Sequence, residues 1–252
     1  MVRPRCGSRE SGGVRRMFWR EDEKGEAYRV PDAIRDLSFR VKGKSLPVDH
    51  AYALCNEVLR VLPWAARTED MGIHAIHVAA SGNGWHRPEG GADDAWLYLS
   101  RRTRLRLRLP KERLGDAEAL TGATLNLGGH EIEVGAAEVR PLSALTTLFS
   151  RYVVAEAGEG EQAFLQRAAE RLRRDFGIRA RKLLCGRETR FRTPEGSVFS
   201  RSLMLAEIGR EDSVRLQERG LGPHRLMGCG LFIPHKGVAP VNASADEYTH
   251  HE

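Results

Sequence analysis

The order in which hydrophobic periodicity changes along the chain restricts its fold more than any single motif. Residues 36–46, DLSFRVKGKSL, alternate as a strand, and 49–62, DHAYALCNEVLRVL, place Cys55, Val58, Leu59 and Leu62 at helical spacing. GIHAIHVAA and, beyond a glycine-rich loop, WLYLSRRTRLRLRLP read as two more strands. In the second, Leu105, Leu107 and Leu109 share one face and Arg104, Arg106 and Arg108 the other. A short helix at 111–120 and strands within 123–140 complete a β-α-β-β-α-β order. The second half repeats it: strand TLFSRYVVA, helix EQAFLQRAAERLRRDF, strands RARKLLCGRETRF and SVFSRSLMLAEI joined through TPEG, a helix at 210–219, and strand CGLFIPHK. The halves share order, not sequence. The expectation is an α+β protein of two tandem ferredoxin-like (RRM-like) βαββαβ units, at 36–143 and 144–237, meeting near 141–146. Residues 1–35 read as a disordered leader and 238–252 as a loose tail, because neither carries a periodic apolar pattern.

Charge narrows the partners. The chain has 252 residues, a formal charge of +6 and 40 basic side chains, of which only six are Lys. Arg offers a planar fork of donors for phosphate and a face for bases. A GC-rich genome is the alternative reading of the Arg total, but it does not explain the clustering. Arg167, Arg171 and Arg174 recur at i, i+4 and i+7 beside the core face Phe164, Leu165, Ala168, Leu172 and Phe176. Arg187, Arg190 and Arg192 form a second cluster on the following hairpin. The stripe Arg104, Arg106 and Arg108 lines a cleft between the units or is a wet sheet face. Cys6, Cys55, Cys185 and Cys229 form no CxxC pair, which argues against a zinc ribbon or disulfide framework and fits a cytoplasmic protein with reduced thiols. No apolar run of about eighteen residues implies a membrane span, and the first thirty-odd residues lack a signal peptide's apolar core.

GLGPHRLMGCG, residues 220–230, is the least ordinary stretch. It is not a P-loop: no Gly-Lys followed by Ser or Thr is present, and it precedes a strand instead of opening a helix. Glycines let backbone N–H groups approach a sugar–phosphate chain, so Gly222, Gly228 and Gly230 with Arg225, and the charge of His224, are candidates for RNA binding. A tight crossover, with Gly228 and Gly230 only permitting close packing, is the alternative. After the last helix of a C-terminal ferredoxin-like unit, the segment resembles the glycine-rich hallmark of the RAMP proteins of CRISPR systems. Its G-hydrophobic-G-x-x-R-x-x-G-x-G form is similar to that of the CRISPR repeat-processing endoribonucleases. LPVDHAYAL, GIHAIHVAASGNGW, LYLSRRTRLRLRLPKER and PLSALTTLFSRYVV resemble the MYXAN-type subgroup of that family, over residues 36–237.

The resemblance implies metal-independent cleavage of precursor CRISPR RNA at each repeat by 2′-hydroxyl attack, without a cofactor. The partners it implies are the repeat RNA, as pre-crRNA and crRNA, and other subunits of a type I effector complex. Such chemistry needs a base, a proton donor and stabilisation of the phosphorane. Of nine histidines, His74 and His77 stand three apart in an expected strand and face opposite ways, which argues against a paired metal site. His86 is on a loop able to reach RNA. His50 is the preferred base: it opens the first helix after Pro47 and Asp49, where the dipole keeps an imidazole neutral, and the family's catalytic histidine lies at this place. Tyr52 as hydroxyl donor and Lys44 as charge stabiliser accompany it. Asp93 and Asp94 read as solvated, so no two-metal site is suggested. The alternatives are a non-catalytic RAMP subunit holding crRNA in an effector complex, and an unrelated RNA- or protein-binding protein of the same architecture.

Overall fold

In the computed structural model, which describes residues 28–78 and 96–235, each half of the chain builds its own antiparallel sheet. The first unit runs β1 (Ile34–Lys42), β2 (Ser45–Pro47), α1 (Ala51–Val61), β3 (Gly72–His74), β4 (Trp96–Tyr98), β5 (Arg104–Pro110), α2 (Leu114–Ala117), β6 (Thr124–Leu127) and β7 (His130–Arg140). The second runs β8 (Leu148–Val154), α3 (Glu161–Phe176), β9 (Lys182–Thr193), β10 (Gly196–Ala206), α4 (Arg210–Arg219) and β11 (Phe232–Pro234). The first sheet has the order β3-β5-β1-β7-β6 and the second β11-β8-β10-β9. Without the added arm β6, both are the interleaved strand order of a ferredoxin-like unit, so the tandem α+β architecture holds.

The helices form where the apolar spacing places them. On α1, Ala51, Leu54, Cys55 and Val58 are buried at i, i+3, i+4 and i+7. On α3 the buried face is Phe164, Ala168 and Leu172, and the helix stops at Gly177, whose φ of 71° is left-handed. The Gly177 and Ile178 N–H groups donate to the carbonyls of Arg173 and Leu172 at 2.9 and 3.1 Å. Leu37, Phe39, Leu105, Leu107 and Leu109 join α1 in the first core. Each such buried side chain stabilises the fold by about 1.5–3 kcal/mol.

Three expectations need correction. Residues 96–110 are not one strand: the turn at Ser100–Thr103 divides them, with the Ser100 N–H captured by Thr103 Oγ1 at 2.9 Å and the Arg102 N–H by Ser100 Oγ at 3.3 Å. Likewise 36–46 breaks at Gly43, and β2 leaves the main sheet to pair with β4 as a separate ribbon. The leader also ends earlier than residue 35. Tyr28 and Val30 pack on Ile34, Leu142 and Val214. Residues 1–27 and 236–252, with His86, Asp93 and Asp94, lie outside the described residues.

The glycine-rich segment between α4 and β11 docks on the edge of the first sheet. Gly220, Gly222, Gly228 and Gly230 all have positive φ, between 68° and 92°. A Cβ on Gly228 would stand 3.1 Å from the Ala75 nitrogen and 3.2 Å from the Ile73 oxygen, and one on Gly230 would stand 2.2 Å from the Leu221 oxygen. The Gly230 N–H meanwhile donates to the Tyr152 carbonyl at 2.6 Å. Close packing of backbone therefore requires these two glycines, whereas a Cβ on Gly222 would meet only the Arg171 guanidinium, at 3.6 Å. We expect Gly230→Ala to lower the denaturation midpoint markedly, by strain and clash together. Gly222→Ala should show only the strain of a left-handed non-glycine, roughly 1–2 kcal/mol. Equal midpoints for the two variants would contradict this division.

Candidate nucleic-acid interface

The arginine stripe of β5 faces the second unit, but its three members have different environments. Arg108 is fully buried. Its Nε and Nη2 donate to the two Asp36 carboxylate oxygens at 2.8 and 3.1 Å, and its Nη1 to the carbonyls of Gln217 and Phe232 at 2.9 and 2.7 Å. It thus joins β1 of the first unit to α4 and β11 of the second. Burial alone would raise the Asp36 pKa, but Arg108 and its neighbours outweigh it and hold the carboxyl below its ordinary value.

Arg104 and Arg106 instead open into a cavity of about 260 Å³ between the two sheets, beside Arg102, His74 and His77. The second unit contributes Arg151, Tyr152, Gly228, Leu231 and Ile233, and no carboxylate lines the cavity among the described residues. His74 is pulled down to about 3 by burial and by Arg108, and His77 is lowered by burial and Arg151. Both imidazoles are therefore neutral near pH 7. The buried His74 Nε2 and Arg106 Nε have no hydrogen-bond partner among the described residues. Four guanidinium groups facing one hollow concentrate positive charge there, which favours an anion.

A second hollow, of about 380 Å³, lies between α1 and the glycine-rich segment. Tyr52 and Cys55 line one side, Gly222, His224, Arg225 and Met227 the other. His50 is the N-cap of α1, as expected, but only 3% of it is exposed. Its Nδ1–H is shared by the Pro47 and Val48 carbonyls at 2.8 and 3.0 Å, and its Nε2 accepts the Ile76 N–H at 3.0 Å. Burial lowers its pKa, against the upward pull of those two carbonyls and of Asp49. Lys44 is exposed at the start of β2. Arg225 serves the protein itself: it donates to the carbonyls of Met71, Asp70 and Glu218 at 3.2, 2.8 and 2.9 Å, bridging the units.

The remaining arginines divide between two surfaces. Arg167 pairs with Glu159, while Arg171 and Arg174 both reach Asp175, at 3.2 and 2.7 Å. Arg171 also abuts Gly222. Arg187, Arg190 and Arg192 are exposed on β9. The Arg192 N–H and Nε both donate to Asp49 Oδ2, at 3.0 and 3.2 Å, which ties the hairpin to the start of α1. The structure thereby gathers His50, Tyr52, the glycine-rich segment and Arg192 around one helix end. Sequence reasoning missed Arg102, Arg151 and Tyr152 as cleft residues. The strand pattern around Arg151 was visible, but not which face of it meets the other unit.

Fold and site together describe a two-unit protein with a basic inter-unit cleft and a glycine-rich segment closing it. A sequence profile described as Cas6, Cas6 Crispr, matches residues 35–237. Over 208 residues the chain is 34% identical to the CRISPR-associated endonuclease Cas6 of Myxococcus xanthus (strain DK1622), covering 82% of this chain and 84% of that one. The chain belongs to the Cas6 family. Among solved structures, a CRISPR-associated protein Cas6 superposes with a TM-score of 0.54 at 10% identity, over 81% of this chain and 100% of the other. A Cas6-related gene product from Pyrococcus furiosus gives 0.53 at 12% identity, over 79% and 97%. A RAMP protein binding different RNA substrates gives 0.53 at 15%, over 80% and 100%. These likenesses concern the fold.

Proposed function

We propose that this chain binds the repeats of a precursor CRISPR RNA and cuts them to release mature crRNA. The observation that carries the reading is the inter-unit cavity, lined by Arg102, Arg104, Arg106 and Arg151 and by no carboxylate among the described residues, in a member of the Cas6 family. Such a hollow suits a phosphodiester chain, and structured RNA is recognised largely through backbone and shape.

The reaction we assign is transesterification. The RNA 2′-oxygen forms a bond to the adjacent phosphorus, and the bond from phosphorus to the 5′-oxygen breaks. A base takes the 2′-hydroxyl proton and an acid supplies one to the leaving oxygen. The products are a 2′,3′-cyclic phosphate and a 5′-hydroxyl. His50 serves through Nε2, the acceptor atom of its neutral ring, with the 2′-hydroxyl replacing the Ile76 N–H as donor. Tyr52 supplies a hydroxyl from the same helix, and Lys44 a charge. No metal enters this scheme.

One observation favours a second reading, a subunit that holds crRNA without cutting it: both His50 ring nitrogens are already engaged by backbone. Incubating the protein with the repeat RNA of an adjacent array, in excess chelator, and mapping the ends separates the two. Cleavage with a cyclic phosphate end is expected; intact, bound RNA would favour the holding role.

The hairpin and α3 arginines, Arg167, Arg171, Arg174, Arg187, Arg190 and Arg192, extend the proposed RNA surface, with Gly222, Arg225, Gly228 and Gly230 shaping its edge. Replacing Arg187, Arg190 and Arg192 together should weaken repeat binding and make its salt dependence shallower, because fewer counterions are released. An unchanged slope would remove the hairpin from the interface. Other subunits of a type I effector complex remain part of the proposal as partners, with the cytoplasm as the location.

A further inference from the structure

We propose that the outer face of the ribbon formed by β2 and β4 is a stacking platform for unpaired RNA bases, with Trp96 and Tyr98 as its rings. The proposal rests on the RNA reading above. Leu46 pairs with Leu97, and both point into the first core. By the alternation of a strand, the flanking pairs Ser45–Tyr98 and Pro47–Trp96 then face outward. Trp96 is 44% and Tyr98 47% exposed, which leaves two adjacent large rings in solvent. His130 shares this outer face and borders the Trp96 ring. The His130 ring lies 4.2 Å from that of Trp96 at 61°, and His130 Nδ1 is hydrogen-bonded to Ser45 Oγ at 3.2 Å. That tilted contact orients the indole.

The surrounding charge selects the occupant. Residues 43–48 and 96–104 contain Lys44, Arg101, Arg102 and Arg104 and no Asp or Glu, while Lys42 is paired with Glu133 at 3.2 Å. Lys44 and Arg101 are exposed next to the ribbon in sequence, and Arg102, in the turn after β4, lines the inter-unit cavity. Flat hydrophobic rings among cations fit a polyanion that carries aromatic bases, and bases stack on such rings with little regard to sequence. A second copy of the chain would bring the same cations face to face. Its strand β2 lies between Lys44 and His50 in sequence, so a base stacked on the ribbon would hold the RNA near the helix start assigned to chemistry.

The test uses the full chain with two single-stranded RNA probes, one of repeat sequence and one scrambled. Trp96→Ala and Tyr98→Ala should each weaken binding to both by roughly five- to hundredfold. Trp96→Phe and Tyr98→Phe should retain most of the affinity, and the salt slope should not move, since no counterion is released from a ring. Indole emission should fall on binding in the wild type and much less in Trp96→Phe. Wild-type affinity in the double alanine variant would overturn the platform, as would a concentration-dependent dimer that this variant abolishes. Failure to cut the repeat would overturn the endonuclease reading alone, because the binding arms decide the platform without it. Absence of wild-type binding to either probe would overturn both.

Discussion

A repeat RNA with one 2′-deoxynucleotide immediately upstream of the scissile phosphate is expected to bind almost normally and to remain uncut. The nucleophile in the proposed reaction is the missing hydroxyl, whereas the contacts proposed for the basic cavity are to phosphate. Cleavage of the deoxy substrate, or strict dependence on a divalent ion, would end this mechanism, because a metal-bound water needs no 2′-hydroxyl. From the protein side, His50→Ala should lower the cleavage rate roughly 10²–10⁴-fold if the ring moves a proton. His50 also ties Pro47 and Val48 to Ile76, so its thermal midpoint and RNA affinity are measured beside the rate. A folded variant that binds RNA and cuts at the wild-type rate would return His50 to a purely supporting role. Tyr52→Phe, which keeps the ring and removes only the hydroxyl, reports on the donor separately.

The second large effect concerns Arg108. Arg108→Met leaves the buried Asp36 carboxylate and the Gln217 and Phe232 carbonyls without their donor, and should cost about 3–5 kcal/mol in denaturant unfolding. Removing both charges, as Asp36→Leu with Arg108→Met, should recover much of that loss. The pH dependence carries a sign. In the wild type the Asp36 pKa lies below the ordinary 3.8, so its contribution is present above that pH and is lost on acidification. Without the guanidinium, burial raises the pKa, and the single variant should gain stability relative to wild type as pH falls from 7 toward 4. Parallel pH profiles for the two proteins would show that Asp36 is not the buried charge the structure describes.

The architecture was legible because element order survives without knowledge of which faces meet. The βαββαβ sequence and the buried faces of α1 and α3 followed from apolar spacing. What spacing could not give was the third dimension of the polar positions. Arg104, Arg106 and Arg108 look equivalent along β5, yet two line a cavity and one is sealed between sheets, because only Arg108 lies opposite Asp36 in register. Arg225 read as a phosphate ligand from its glycine surroundings, while three carbonyls from both units take its donors. His50 was found by its place at a helix start, but its bond to Ile76 crosses from α1 to the segment after β3, which no local pattern reveals. Trp96 and Tyr98 were hidden by reading β4 as the beginning of β5.

The docking of Gly228 against Ile73 and Ala75 also bears on how the chain is made. Translation proceeds from the N-terminus, and domains emerging from the ribosome ordinarily fold in that order. Here the segment that covers β3 is synthesised some 150 residues after it, and the carbonyl partners of Arg108, at Gln217 and Phe232, are just as late. While the second unit is still being translated, the first therefore exposes an uncovered strand edge and a half-satisfied guanidinium, and an open edge invites pairing with other chains. A nascent chain stalled before Gly228 is therefore expected to aggregate, and truncation at that point removes support from β3 of the first unit as well as from the second.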